Sequence, residues 1–139
     1  MTNKTVVIGV LNDIHMIGPA LLEHALTKAG FKVVRVGALA TQEDLIRAAI
    51  ETDAKAILVS SSYGHAIMDC QGMRDKCVEA GLKNILIYVG GNLVVTRQRQ
   101  DWQEVERTFK AMGFDRVYSP ETTPRQAVCD LKADLGIKD

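Results

Sequence analysis

Short runs of apolar and β-branched residues alternate with segments of helical periodicity along the whole chain. The apolar runs predict five strands, at residues 5–11, 32–37, 56–60, 85–89 and 116–118. Apolar positions spaced three and four apart predict helices near residues 18–29, 42–52, 67–80, 102–112 and 124–135. Five β–α units with almost continuously apolar strands are typical of a parallel sheet that is covered by helices on both faces.

Several of the predicted boundaries carry residues that start or end helices. Gly30, Gly81 and Gly113 each follow a helical segment, where a left-handed C-cap favours a residue without a Cβ atom. Thr41 and Asp44 have the spacing of an approximate capping box. These signals support the predicted positions of the helices independently of the hydrophobic pattern.

The common arrangement for five such strands is the order 2-1-3-4-5. The predicted fold class is therefore α/β, a flavodoxin-like (Rossmann-like), doubly wound five-stranded parallel sheet with helices on both faces. No linker or repeat divides the chain, so residues 1–139 are expected to form one domain. In this order the connections reverse direction between strands 1 and 3, and a ligand crevice is expected at the carboxyl ends of these two strands.

Composition narrows the classes of partner. Lys+Arg and Asp+Glu both number 17, so the net charge is zero, and no basic stripe is available to hold nucleic acid or an anionic membrane surface. The apolar runs are too short for a transmembrane helix. The amino terminus enters a strand without a secretory signal pattern, and the three cysteines are an odd number. We therefore expect reduced thiols and a cytoplasmic location, with Cys70 and Cys77 filling the core.

The segment from Asp13 to Gly18 has the pattern D-x-H-x-x-G and follows the first strand almost directly. A neutral imidazole such as that of His15 can bind a metal, and a carboxylate on its other nitrogen fixes the tautomer and raises the basicity. Asp13 is near enough in the chain to take that role. No second cluster of His, Cys or carboxylate residues accompanies the motif, so a closed zinc site is not expected. A single protein ligand implies a cofactor that supplies the others, whereas the alternative is a surface loop with Asp13 as an N-cap.

Two further unusual segments follow the third and fourth strands. The run from Ser60 to Ser62 places small hydroxyl side chains after strand 3, and Gly90 and Gly91 follow strand 4. The carboxyl ends of parallel strands share one edge of a sheet, so all three segments are expected around the crevice. Each of the two also fits an ordinary turn when taken alone. The glycine spacings match neither a dinucleotide-binding motif nor a P-loop, which disfavours a flavin or a nucleoside triphosphate.

Other chemically capable side chains have simpler explanations. Tyr63 and His65 are expected at the same edge, but no motif assigns them a ligand. His24 falls within the first predicted helix and is expected to be solvated. An apolar stripe at helical spacing in the fourth helix is expected to pack in the core rather than to stack on a ligand; it consists of Trp102, Val105, Phe109 and Met112.

A phosphorelay receiver domain has the same fold and is a structural alternative. Receivers resemble one another in an acidic pair after strand 1, a phospho-acceptor aspartate after strand 3 and a lysine after strand 5. Here Asn12 and Asp13 follow strand 1, serines follow strand 3, and Ser119 and Pro120 follow strand 5. The receiver interpretation is therefore disfavoured.

Taken together, the D-x-H-x-x-G segment, the serines after strand 3 and the glycine pair after strand 4 resemble the cobalamin-binding domain of adenosylcobalamin mutases and corrinoid methyltransferases. Over essentially the whole chain, further segments resemble the small (sigma) subunits of glutamate mutases, also called methylaspartate mutases. These segments are Ala29–Phe31, Gln42–Asp44, Ala49–Thr52, Gly90–Val95 and Phe109–Tyr118. The family usually has Ser-x-Leu after strand 3, and here Ser62 replaces the leucine, which suggests a looser slot or a different lower base.

The resemblance implies a set of cofactor contacts. Cobalamin would bind in the crevice with its dimethylbenzimidazole tail displaced from cobalt, and His15 would be the axial metal ligand. Asp13 would hydrogen-bond this histidine, which makes His15 and Asp13 the expected catalytic pair. The other cofactor-binding residues implied by the resemblance are Asn12, Ile14, Met16, Gly18, Ser60, Ser61, Ser62, Gly90, Gly91, Asn92, Leu93, Val94, Val95 and Thr96.

The same resemblance implies an activity and a partner. The family interconverts L-glutamate and (2S,3S)-3-methylaspartate by a radical rearrangement that uses adenosylcobalamin. The substrate is bound by a large (epsilon) TIM-barrel subunit, and two small subunits assemble with two large ones. A corrinoid carrier protein of a methyltransferase system is the alternative function, and a cobalamin-sensing module is a third. Both are disfavoured, because a carrier would be expected to have an N-terminal helical bundle and a sensor an output domain.

Overall fold

The structure is a computed structural model that describes residues 4–11, 17–60, 70–90, 102–118 and 122–136, with only the backbone described at residues 17–19, 37–38 and 102. The elements in chain order are β1 (Thr5–Leu11), α1 (Ile17–Lys28), β2 (Lys32–Ala40), α2 (Gln42–Thr52), β3 (Ala56–Ser60), α3 (Met73–Glu79), β4 (Leu86–Gly90), α4 (Trp102–Ala111), β5 (Arg116–Val117) and α5 (Pro124–Leu135). The bounds of β1, β3, α2 and α5 are the predicted ones, and most others differ by one residue.

The five strands form one parallel sheet in the order β2-β1-β3-β4-β5. This is the order expected from the sequence, and the prediction of a doubly wound sheet is confirmed. Every residue of β1 is buried, and β3 is buried up to its last residue, Ser60. The two central strands are therefore covered on both faces, which explains why their sequences are apolar at successive positions.

Helices cover each face of the sheet with a separate apolar cluster. On one face α2, α3 and α4 pack through residues such as Leu45 and Phe109. On the other face α1 and α5 pack through residues such as Leu26 and Leu131. Cys77 is fully buried in the first cluster, where burial raises the pKa of its thiol, so it is a neutral packing group.

Several packing predictions can be compared with these clusters. Cys70 and Cys77 are both fully buried, so their expected core role is confirmed. Val105 and Phe109 of α4 are buried in the first cluster and Met112, just after the helix, packs against this cluster, so this part of the predicted stripe is core.

The amino-terminal end of α2 is determined by local hydrogen bonds. The Thr41 hydroxyl accepts a hydrogen bond from the Asp44 amide at 3.1 Å, and the Asp44 carboxylate accepts one from the Thr41 amide at 3.1 Å. This is the predicted capping box, which satisfies two amide groups that the helix itself leaves free.

In the described parts of the chain, no helix is long and apolar enough to cross a membrane.

Two predicted elements differ from the structure. The helix expected near 67–80 is interrupted: Cys70 is helical, residues 71 and 72 form a turn, and α3 begins at Met73. Gly72 has a positive φ of 76°, which is incompatible with a continuous helix through this point. Residues 67–69 lie outside the described residues. The second strand continues to Ala40 rather than stopping at residue 37, because a bulge lets the chain resume its pairing with β1.

A single arginine on α3 connects three separate parts of the chain at the amino-terminal edge of the sheet. The Arg74 guanidinium donates hydrogen bonds to the Gly113 carbonyl at 2.9 Å, the Ile85 carbonyl at 2.8 Å and the Asp115 carboxylate at 2.7 Å. The same Asp115 oxygen accepts a hydrogen bond from the Ile87 amide at 2.8 Å. Arg74 therefore holds α3 and the starts of β4 and β5 in one position.

Candidate cofactor site

The carboxyl ends of the three central strands lie side by side. Ser60, the last residue of β3, is paired with Val10 of β1 on one side and with Gly90 of β4 on the other. The chain segments that follow β1, β3 and β4 therefore begin at adjacent positions on one edge of the sheet. This is the edge at which the strand order places a ligand crevice, between β1 and β3.

Most of the predicted cofactor-binding residues lie outside the described residues. This applies to Asn12–Met16, to Ser61 and Ser62, to Gly91–Thr96, and to Tyr63 and His65. Gly18 is described only as backbone, in the first turn of α1. Among the residues that are described, no group of three or more His, Cys, Asp and Glu side chains could hold a metal ion. The roles of His15 and Asp13 thus remain predictions.

Ser60 and Gly90 are the two predicted cofactor residues whose surroundings can be examined. Both are partly exposed at the crevice edge. A Cβ atom added to Gly90 would lie 3.5 Å from the Cβ atom of Tyr118, which is an ordinary van der Waals distance. The described residues therefore leave room for a side chain at Gly90. A bulky ligand at this edge would need small residues beside it. Gly90 and Ser60 are small, so they fit a large cofactor.

Tyr118 was not predicted as a site residue, but it lies next to Gly90. It directly follows β5, and its amide donates a hydrogen bond to the Val89 carbonyl at 2.8 Å. The Tyr118 hydroxyl donates to the Asp130 carboxylate on α5 at 2.7 Å. The sequence places Tyr118 at the carboxyl end of the fifth predicted strand, and this position could have been used to predict that it lies at the crevice edge.

A polar network beneath α5 continues from Tyr118 into the sheet. The ring of Tyr118 packs edge-on against that of Tyr88, with the ring centres 5.7 Å apart. The Tyr88 hydroxyl donates a hydrogen bond to Asp134, and Arg116 donates two further bonds to this carboxylate at 2.7 and 2.9 Å. The network joins β4 and β5 to α5 on the face that α1 also covers.

The ionisation of this network suits a structural role. Burial, together with the neighbouring carboxylates, raises the pKa of Tyr88 and that of Tyr118 far above the usual range. The hydrogen bonds from Arg116 lower the pKa of Asp134. At neutral pH the two phenols are therefore protonated donors and Asp134 is an ionised acceptor, so none of the three is suited to acid–base catalysis near pH 7.

Comparisons with known proteins identify the class of this site. Residues 3–128 match the family model described as the B12 binding domain. The fold, the small residues at the crevice edge and this match together define a cobalamin-binding domain.

Closer relatives identify the particular family. The chain is 56% identical to the glutamate mutase sigma subunit of Carboxydothermus hydrogenoformans, over 99% of both chains. It is also 56% identical to the glutamate mutase sigma subunit of Clostridium tetani, over 99% of this chain and all of the relative. The chain belongs to the family of glutamate mutase sigma subunits.

Solved structures agree on the fold. A cobalamin-binding protein from Desulfitobacterium hafniense superposes with a TM-score of 0.74 at 17% identity, over 94% of this chain and 58% of that chain. The receiver domain of the response regulator NarL from Mycobacterium tuberculosis superposes with a TM-score of 0.67 at 14% identity, over 96% of this chain and 97% of that one. At such identities the likeness concerns the fold alone, and cobalamin-binding domains and receiver domains share this fold.

Proposed function

We propose that this chain is the cobalamin-carrying subunit of a glutamate mutase, an isomerase that interconverts L-glutamate and (2S,3S)-3-methylaspartate together with a large subunit. The observation that carries the proposal is the end-to-end match to glutamate mutase sigma subunits at 56% identity. The strand ends support it, because the segments with the predicted ligand residues leave the sheet at neighbouring positions. The alternative is a corrinoid carrier of a methyltransferase system, which is supported by likeness to solved corrinoid proteins at 19% and 21% identity, a likeness that concerns the fold alone.

The proposed cofactor is adenosylcobalamin. When it is bound, this group supplies an adenosyl radical that abstracts a hydrogen atom from the substrate. His15 would bind the cobalt of this group through its imidazole, and Asp13 would be the hydrogen-bond partner that orients this imidazole and raises its basicity. The small residues Ser60 and Gly90 keep the crevice open, and the chain thereby positions the cofactor while the cofactor carries the chemistry.

The proposed partner is a large (epsilon) subunit of TIM-barrel fold, in an assembly of two small and two large chains in the cytoplasm. Such a partner would bind the substrate, since the sequence of the small chain has no evident clamp for the two carboxylates of glutamate. It would also close over the cofactor and exclude water from the radical. The large subunit would therefore face the carboxyl edge of the sheet.

The Gly90→Ala variant separates a ligand role from a role in folding. We expect its stability to be unchanged or to rise by up to about 1 kcal/mol, because the described residues leave space for the added methyl group and alanine restricts the unfolded chain. We expect its affinity for cobalamin to fall about tenfold or more, because an added methyl group in a filled site costs about 1–3 kcal/mol. Urea unfolding and a spectroscopic cobalamin titration measure the two effects. An unchanged affinity would show that the cofactor does not lie against Gly90.

The proposed axial ligand can be tested by electron paramagnetic resonance. Cob(II)alamin is mixed with an excess of protein that carries ¹⁵N-labelled histidine. Coordination by a protein histidine changes the axial superhyperfine pattern from three lines to two. A pattern that keeps three lines, in a sample in which binding has been confirmed, would mean that the base of the cofactor itself stays on cobalt and would contradict the assignment of His15.

The proposed reaction is tested by adding the large subunit and adenosylcobalamin. Formation of (2S,3S)-3-methylaspartate from L-glutamate, dependent on all three components, is the expected result. Binding of cobalamin without mutase activity, but with methyl transfer to or from the bound corrinoid, would instead favour the carrier function.

A further inference from the structure

The end of β2 contains a bulge opposite the last residues of β1. Gly9 pairs with Val36 and Leu11 pairs with Ala40, so β2 advances four residues while β1 advances two. Within this bulge Leu39 has a positive φ of 59°. This conformation brings the β-carbon of an ordinary residue close to its own backbone, and it is adopted mainly by glycine, asparagine and aspartate.

The side chain of Leu39 is unfavourable in a second way. It is 61% exposed, the highest value among the exposed large apolar residues in the described parts of the chain. Leu39 therefore combines a strained backbone with an apolar side chain in water. A glycine or an asparagine at this position would avoid both costs in the isolated chain.

Neighbouring contacts hold Leu39 in this position. Ala40 is buried and paired with β1, and Thr41 caps α2 through the capping box. The Gln42 side chain donates a hydrogen bond to the Gln71 carbonyl at 2.9 Å. Because the residues that follow are attached to the core, Leu39 is presented at the carboxyl edge of the sheet as a fixed feature.

We propose that Leu39 is an anchoring contact for the large subunit. This inference rests on the proposed function, which places that subunit over the same edge of the sheet. The strand order favours contact of Leu39 with the large subunit rather than with the corrin ring of the cofactor. The crevice lies between β1 and β3, whereas β2 lies on the side of β1 away from β3. Leu21, in the second turn of the helix that follows β1, is 58% exposed and is a second exposed apolar group in the described parts of the chain.

The expected partner chemistry is an apolar pocket on the large subunit. Interface energy is concentrated in a few side chains that become fully buried, and a rigidly presented side chain loses little conformational entropy on binding. The large subunit would thus receive Leu39 in a pocket without charges, next to the cofactor that the two chains share.

The Leu39→Asn variant tests the proposal. Asparagine tolerates the left-handed conformation and removes the apolar side chain, so we expect the thermal unfolding temperature of the isolated chain to be equal or higher. We expect association with the large subunit, in the presence of adenosylcobalamin, to weaken at least about 30-fold, as for loss of an interface hot spot. Isothermal titration calorimetry measures the association, and a spectroscopic titration measures cobalamin binding by the chain alone.

Two further variants serve as controls. Leu39→Met keeps an apolar side chain and should associate within about threefold of the wild-type chain. Ile50→Gln changes another half-exposed apolar residue, in the last turn of α2, and should leave association unchanged.

The possible outcomes separate this inference from the proposed function. If Leu39→Asn associates as well as the wild-type chain, Leu39 is not an anchor and only this inference fails. If the variant loses cobalamin affinity in the absence of the large subunit, Leu39 contacts the cofactor instead, and the inference is also overturned. If the wild-type chain neither associates with the large subunit nor supports mutase activity, the proposed function itself fails, and the inference fails with it.

Discussion

The His15→Ala variant, mixed with the large subunit and adenosylcobalamin, is expected to lose at least about 100-fold in turnover. Loss of a hydrogen-bond partner behind a metal ligand typically costs about 10–100-fold, and loss of the ligand itself should cost more. The crevice remains, so cobalamin should still bind, but with its cobalt lacking a nitrogen from the protein. Initial rates of methylaspartate formation at saturating cofactor measure the loss.

Two variants accompany this measurement. His24 is an exposed histidine on α1, so His24→Ala should retain wild-type turnover. Asp13→Asn keeps the ligand and lowers its basicity, so it should lose less, about tenfold. Wild-type turnover in His15→Ala would exclude axial ligation by His15. So would a two-line spectrum from the His15→Ala variant labelled with ¹⁵N-histidine, because another histidine would then be the ligand.

The Arg74→Met variant is expected to lose about 3 kcal/mol of stability, because charged hydrogen bonds contribute about 1.5–3 kcal/mol each and their effects are not fully additive. Methionine fills similar space but leaves the Gly113 and Ile85 carbonyls and the Asp115 carboxylate without this donor. Arg74 is only 22% exposed, so little water can replace it. Urea unfolding of the isolated chain measures the change in the free energy of unfolding.

Arg35→Met is the matched control for this loss. Arg35 pairs with Glu23 at 2.6 Å, but the two side chains are 40% and 32% exposed, and such surface pairs contribute less than about 1 kcal/mol. Equal destabilisation by the two variants would contradict a special role for Arg74. Cobalamin affinity should be unchanged in Arg74→Met, since its contacts precede β4 and β5, at the edge opposite the crevice.

The comparison with receiver domains shows where functional information lies in this fold. The NarL receiver domain and this chain share the architecture at 14% identity. The two classes differ in the residues at the carboxyl ends of the strands, where receivers resemble one another in an acidic cluster. This chain has Ser60 at the end of β3, and Asp13 and His15 after β1. The strand order locates the site, and the side chains at that edge determine its chemistry.

Much of the fold could be predicted because its signals are local. Burial on both faces leaves β1 and β3 apolar throughout, and the Thr41–Asp44 capping box marks the start of α2. The cofactor class was implied by the resemblance of the Asp13–Gly18 segment, the serines after strand 3 and the pair Gly90 and Gly91 to cobalamin-binding domains. Its assignment to a cobalamin-binding family agrees with the match over residues 3–128.

Other features could not be predicted because they depend on residues that are distant in the chain. The position of Arg74 depends on acceptors that lie up to 41 residues away. Tyr118 lies beside Gly90 only because β5 pairs with β4. The bulge at Leu39 arises from the register between β1 and β2, and the pattern of apolar and polar residues along β2 does not indicate it.

The sequence by itself predicted the order and type of the elements, because hydrophobic period and capping residues are properties of neighbouring residues. Its resemblance to known sequences implied the family, and the ligands His15 and Asp13 stay predictions from that resemblance. Only the tertiary structure decided that Ser60 lies between Val10 and Gly90, and that Leu39 is exposed in a strained conformation. The reason is physical: strand register and exposure result from packing of the whole chain, and no short segment contains that information.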